Sequence, residues 1–155
     1  MTYGSHASAT TPLSVALNTV STTGGPNGIF LKNTTGSFTV NGTTANTSVG
    51  GDATGGTISG MTGADSTTAG IGVFADNVSN LTLRRMTING TNQGFGIRGN
   101  RVNNFTLEYS TVNGTNGTSA ALAPPEGAGE GSVYFGNTTT TGMTDAIIAA
   151  MQPIR

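Results

Sequence analysis

Three observations predict an all-β fold, a parallel β-helix of about four turns with a short C-terminal capping helix. A 24-residue segment recurs without a gap. Apolar and polar residues alternate inside it. Glycines and Asn-Gly steps cut the alternation into short pieces. Charged residues are only 8% of the 155, against roughly 25% in ordinary globular chains. A chain rich in Gly, Thr and Asn, with spaced Ile, Val, Leu and Phe, fits many short strands and tight turns.

The repeat is clearest when GIGVFADNVSNLTLRRMTINGTNQ (70–93) is set beside GFGIRGNRVNNFTLEYSTVNGTNG (94–117). Eleven of the 24 positions are identical. A weaker copy, GIFLKNTTGSFTVNGT, starts at Gly28 and needs one extra residue before Phe38. It is followed by an insert, NGTTANTSVGGDATG, which reads as a loop, and the pattern resumes around Ile58. GSVYFGN from Gly131 is a partial fourth copy, its Gly136-Asn137 echoing Gly99-Asn100. SVALNTVS (14–21) reads as the closing part of an earlier turn.

Each element follows from this spacing. Ile71 and Val73, then Leu81 and Leu83, then Ile88 mark three short strands with one buried face. Phe95 and Ile97, Phe105 and Leu107, and Val112 repeat them, and Ile29, Phe38, Val40 and Ile58 supply the first copy. Three strands in 24 residues are too closely spaced for conventional hairpins. They suit one triangular turn of a parallel β-helix, in which equivalent residues stack about 4.8 Å apart. Each turn then has the next turn as its neighbour, which explains the repetition. Helical repeats are excluded in the middle of the chain by the dominance of Thr, Asn and Gly. A β-sandwich does not require ungapped copies. Residues 1–12 read as an irregular N-terminal segment, 13–137 as the repeats and 138–155 as a cap or tail. In that tail Thr144 with Asp145 can begin a helix, Ala146 to Met151 can continue it, and Pro153 would stop it.

NGIFLKNTTGSFTVNG, NVSNLTLRRMTING and GEGSVYFGN resemble repeats of large secreted bacterial proteins in the right-handed parallel β-helix, pectate-lyase-like superfamily. The resemblance covers roughly residues 13–137 and implies a right-handed hand, an extracellular or cell-surface location and a place in a larger parent protein. It is unspecific for activity, since such repeats occur in surface proteins, adhesin-like passengers and carbohydrate-active enzymes. The chain is far shorter than the family's usual domains, and TTTTGMTDAIIAAMQPIR departs from the strand pattern.

The net charge of −1 implies neither nucleic acid nor an anionic membrane as partner. There is no cysteine, which excludes disulfides and thiolate metal sites. No apolar run approaches the roughly 18 residues of a membrane span, so no membrane insertion is expected. MTYGSHASATTP has no basic n-region and no apolar h-region, so a secreted parent would carry its signal outside this chain. Ten Asn-x-Ser/Thr triplets fit turn chemistry in an Asn- and Thr-rich chain better than glycosylation.

Candidate sites are few. Thr39, Thr82 and Thr106 form an outward ladder, and Thr87 with Thr111, Asn80 with Asn104 and Asn89 with Asn113 should also stack. Arg84 aligns with Glu108, and Arg85 with Tyr109. An ion pair and a cation–π contact between turns would stabilise the stack, while the same four residues could contact a polysaccharide. The loop APPEGAGEG carries Glu126 and Glu130, which could act as acid and base or hold Ca²⁺ with backbone carbonyls. With Glu108 and Arg84 they are the candidate catalytic residues. The lyases and hydrolases the resemblance brings in use clustered acids, and none is visible here. His6, the only histidine, has no placeable partner. The leading expectation is a non-enzymatic structural or adhesin-like module, without a required cofactor. The alternatives are a carbohydrate-active or polysaccharide-binding β-helix, and a fragment with a fortuitous hydrolytic or metal-dependent activity. Open strand edges at the ends predict either neighbouring repeats of a parent chain or end-to-end self-association.

Overall fold

The computed structural model describes residues 9–120, 122, 129–136 and 142–151, apart from the side chain of Asp145. His6, Glu126 and Pro153 lie outside them. The described residues form ten strands and no helix, so none is long and apolar enough to cross a membrane. The strands are β1 (Thr11–Leu17), β2 (Thr22–Thr23), β3 (Asn27–Val40), β4 (Gly56–Ser59), β5 (Ile71–Arg84), β6 (Met86–Asn89), β7 (Ile97–Glu108), β8 (Thr111–Asn113), β9 (Val133–Phe135) and β10 (Met143–Ala149).

All pairing between these strands is parallel. One sheet runs β1-β3-β5-β7-β10, with β9 also on β7, and the other runs β2-β4-β6-β8. Spatial order follows chain order in both. The chain therefore gives a strand to one sheet, crosses to the other, and returns one position further on.

The register reproduces the repeat. Val73 pairs with Ile97, Leu81 with Phe105 and Leu83 with Leu107, each 24 residues apart. Between β3 and β5 the register slips by one residue between Thr34 and Phe38, where the sequence carries its extra residue. Ser14 to Leu17 pair with Ser37 to Val40, so the upstream segment does belong to an earlier pass. The inward residues form columns such as Val40, Leu83, Leu107 and Ile148, and Ile58, Ile88 and Val112. Val40, Ile58, Leu83, Ile88, Leu107 and Val112 are fully buried. Each such Leu or Ile contributes about 1.5–3 kcal/mol by leaving water.

Four expectations change. The first two short strands of each repeat run on as one long strand, because residues with positive φ bend the chain without breaking its pairing. Asn33, Asn77 and Arg101 form one such corner, and Asn80 and Asn104 another. Asparagine enters the left-handed region more easily than most residues. Its amide also bridges levels: Asn77 Nδ2 donates to Asn33 Oδ1 at 3.0 Å, and Asn104 Nδ2 to Asn80 Oδ1 at 2.9 Å.

Second, the expected C-terminal helix is strand β10, paired with β7 from Met143 to Ala149. Ala146 to Ala149 have adequate helix propensity, but β7 offers an open row of backbone partners, and Ile147 and Ile148 are β-branched. Tertiary pairing overrides a weak local preference. Third, Gly136 does not stack on Gly99, and Asn137 lies outside the described residues. Phe135 pairs with Gly99, because its ring fills the space that glycine leaves. A Cβ on Gly99 would lie 2.4 Å from that ring. Fourth, strand structure begins at Thr11, inside the segment expected to be irregular.

A buried asparagine pair is also legible in the repeat but was not among the expected ladders. Asn92 accepts from the Met61 N–H at 3.0 Å and donates to Asn116 Oδ1 at 2.8 Å. The expected pairs Thr39–Thr82–Thr106, Thr87–Thr111 and Asn89–Asn113 are in register. Asn80 should be the more sensitive kind of position. Asn80→Ala should lower the unfolding free energy by about 1–2 kcal/mol, through the loss of asparagine's easier access to positive φ and of its amide bonds. Asn80→Gly should cost less, and urea unfolding of both variants checks the order.

Candidate functional site

Two surfaces gather the chemistry-bearing residues. The first is the corner after β5 and β7. Arg84 pairs with Glu108 across the ladder, and Arg84 Nε donates to Glu108 Oε2 at 2.8 Å. Both side chains are partly exposed, so the pair contributes up to about 1 kcal/mol. Arg84 also reaches Asn41 Oδ1 at 3.3 Å.

Arg85 follows with φ of 55°, over Tyr109 with φ of 51°, and its guanidinium carbon lies 5.3 Å from the Tyr109 ring centre. The stacking expected from the repeat is present. Arg85 is nonetheless only 8% exposed. Its Nε donates to the Asn46 carbonyl at 2.7 Å and Nη1 to the Asn41 carbonyl at 2.5 Å. Both acceptors belong to the long insert between β3 and β4. Arg85 thus ties that insert to the corner. The insert continues along the stack, where Gly50 N–H donates to the Ala150 carbonyl at 2.8 Å and its own carbonyl accepts from Thr111 Oγ1 at 3.3 Å. Inside the insert, Asp52 accepts from the Thr44 hydroxyl at 2.6 Å and the Thr54 hydroxyl at 2.8 Å. The Thr44 bond is the main reason the carboxyl is held down at about 2, with further bonds from Thr54 and Asn46.

The second surface is a cleft of about 190 Å³ beside the outer face of the first sheet. Its floor holds Ile71, Phe74, Phe95 and Arg98, and its rim includes Lys32, Asp76 and Glu130. Phe30, Phe74, Arg98 and Tyr134 are successive partners in the ladder. Phe30 stacks on Phe74 with centres 5.0 Å apart, and Phe95 on Tyr134 at 5.9 Å.

Arg98 is the residue sequence reasoning missed. It is 2% exposed, with its guanidinium carbon 4.6 Å from the Tyr134 ring centre and 5.4 Å from that of Phe95. Nη1 donates to the Gly136 carbonyl at 2.6 Å and to the Gly99 carbonyl and Asn100 Oδ1 at 3.2 Å. Burial pushes its pKa below the usual arginine value, opposed by Tyr134 and Asp76. The signal was there: Arg98 stands where the previous repeat has Phe74.

The predicted site residues are divided between these surfaces. Arg84, Arg85, Glu108 and Tyr109 meet at the corner. Glu130 lines the cleft with Asp76. The carboxylates there are engaged: Asp76 is paired with Arg101, and Glu130 Oε2 accepts from the N–H groups of Thr118 and Ser119 at 2.9 Å each. Among the described residues, no three or more His, Asp or Glu side chains are grouped so as to hold a metal ion. Because Glu126 lies outside the described residues, its pairing with Glu130 as acid and base or around Ca²⁺ has no geometry here.

The Asp52 cluster gives a direct test. A folded-state pKa below the unfolded value means that its bonds stabilise the insert above the ordinary value of 3.8 and are lost as pH falls through about 2. Carboxyl-carbon NMR should show a midpoint near 2 for Asp52, and Thr44→Val should move it upward toward 3.8. The chain matches no protein-family model, and comparisons with curated proteins and with solved structures find no match.

Proposed function

We propose that this chain is a right-handed parallel β-helix with a structural, non-catalytic role, a module of a larger extracellular or surface protein. Strand order that follows chain order in both sheets supports the solenoid. The hand follows from general chirality, since crossovers between parallel strands of one sheet are right-handed in about 98% of cases.

The observation that carries the non-catalytic role is the state of the acids. Every carboxylate whose side chain is described already has a partner. Asp52 is held by Thr44 and Thr54, Asp65 by Ser119, Asp76 by Arg101, Glu108 by Arg84, and Glu130 by two backbone N–H groups. A general acid or base needs a proton-transfer site facing substrate, and these groups spend theirs on the scaffold. A polysaccharide panel read for reducing ends and unsaturated products should give no turnover. Turnover abolished by Glu130→Gln would overturn this reading.

A second reading, polysaccharide binding, draws on the cleft. Its aromatic floor, buried arginine and polar rim have the mixed character of a sugar contact, and Phe30 presents a ring that is 49% exposed beside it. Binding measured by calorimetry should weaken on Phe30→Ala and survive Tyr109→Ala. The reverse pattern would place the contact at the Arg84–Tyr109 corner.

A further inference from the structure

We infer that copies of this chain associate head to tail, with β1 of one copy pairing in parallel with β10 of the next. The register places Val15 beside Ala146, Ala16 beside Ile147 and Leu17 beside Ile148. This rests on the solenoid reading above.

The two terminal strands of the first sheet are successive steps of one ladder. Val15, Phe38, Leu81, Phe105 and Ala146 form one continuous column. Ala16, Thr39, Thr82, Thr106 and Ile147 form the next, and Leu17, Val40, Leu83, Leu107 and Ile148 the third. Among the described strands, β1 has only β3 as neighbour and β10 only β7. Among the described residues, each therefore presents one edge of unpaired backbone groups. Since the strands of the sheet are parallel, the free edge of β10 and the free edge of β1 are opposite sides of the same ladder. A second copy continues it without changing strand direction or face.

The side chains at these ends differ from those in the middle. The outward column carries threonine at its three inner levels and apolar residues at both ends, Ala16 and Ile147. Ile147 is 56% exposed, Ile148 47% and Leu17 38%. Stacking the two ends gives each exposed apolar residue an apolar neighbour, and it sets the small Ala16 against the large Ile147 and the small Ala146 against Val15. Sheet edges are commonly guarded by charge, proline or a bulge. SVAL (14–17) and AIIA (146–149) contain no charge and no proline, and the one charged residue of β10, Asp145, comes just before AIIA. Pro12 in β1 has no N–H to give, which confines the contact to the residues after it. A net charge of −1 adds little repulsion between copies. The contact is heterologous, so it extends into open chains of copies and not a closed two-fold dimer.

Sedimentation of the full chain over a range of concentrations tests this. The weight-average mass should rise above the 15.5 kDa monomer as concentration increases. The double variant Ala16→Glu/Ile147→Glu sets like charges opposite each other at the contact only, and should stay at 15.5 kDa. Ala16→Lys/Ile147→Glu should associate again, and less so at high salt. Wild-type protein that remains monomeric throughout, with its β-sheet circular dichroism intact, overturns the inference and leaves the solenoid reading standing. Association that the first double variant does not reduce, or that the second does not restore, also overturns it. Loss of the β-sheet signal in wild-type protein would instead overturn the solenoid reading beneath it.

Discussion

Parallel backbone pairing between equivalent residues of successive passes is the constraint on which the rest depends. Once β5 lies in register on β7, every side chain on one has its own counterpart on the other as neighbour. A position facing inward must then be apolar at each level, and a position at a corner must tolerate positive φ at each level. The chain meets both demands by repetition. It uses Leu, Ile, Val and Phe in the inward columns and Asn at all but one of the non-glycine bends inside the long strands, Arg101 being the exception, and the Asn amide also bridges one level to the next.

The same constraint explains where charge goes. Charged residues are scarce, and at the corner after β5 and β7 the ladder supplies their partners. Arg84 and Glu108 are one level apart and oppositely charged, so a pairing imposed by register becomes attractive. Arg85 and Arg98 are buried against rings and donate to backbone carbonyls, which lets a cation sit near the core without an unmet donor. The role of these residues is thus first to fix loops and turns. Arg85 holds the insert after β3, and Arg98 bonds the carbonyl of Gly136 beyond β9.

Much of this was legible in the residues. The 24-residue period gave the register between β5 and β7, the extra residue before Phe38 gave the slip in β3, and the pairs Arg84–Glu108 and Arg85–Tyr109 fell where alignment put them. The cleft was harder to see, because Lys32, Asp76, Arg98 and Glu130 are brought together by four different segments. The change from Phe74 to Arg98 was the one local sign. Alignment shows that two residues are neighbours, but not that a guanidinium would lie against both Phe95 and Tyr134.

The sequence by itself determined the period, the inward columns and the corners, because these follow from repetition and from the short-range preferences of Asn, Gly and β-branched residues. Tertiary structure alone decided that residues 143–149 form a strand. The segment AIIAA can form either helix or strand, and the open edge of β7 supplies the hydrogen bonds that settle it. It also decided the course of the insert, whose anchors at Arg85, Thr111 and Ala150 lie far away in the chain. Contacts of that kind depend on which surface a loop meets after the stack has formed, and no local pattern encodes it.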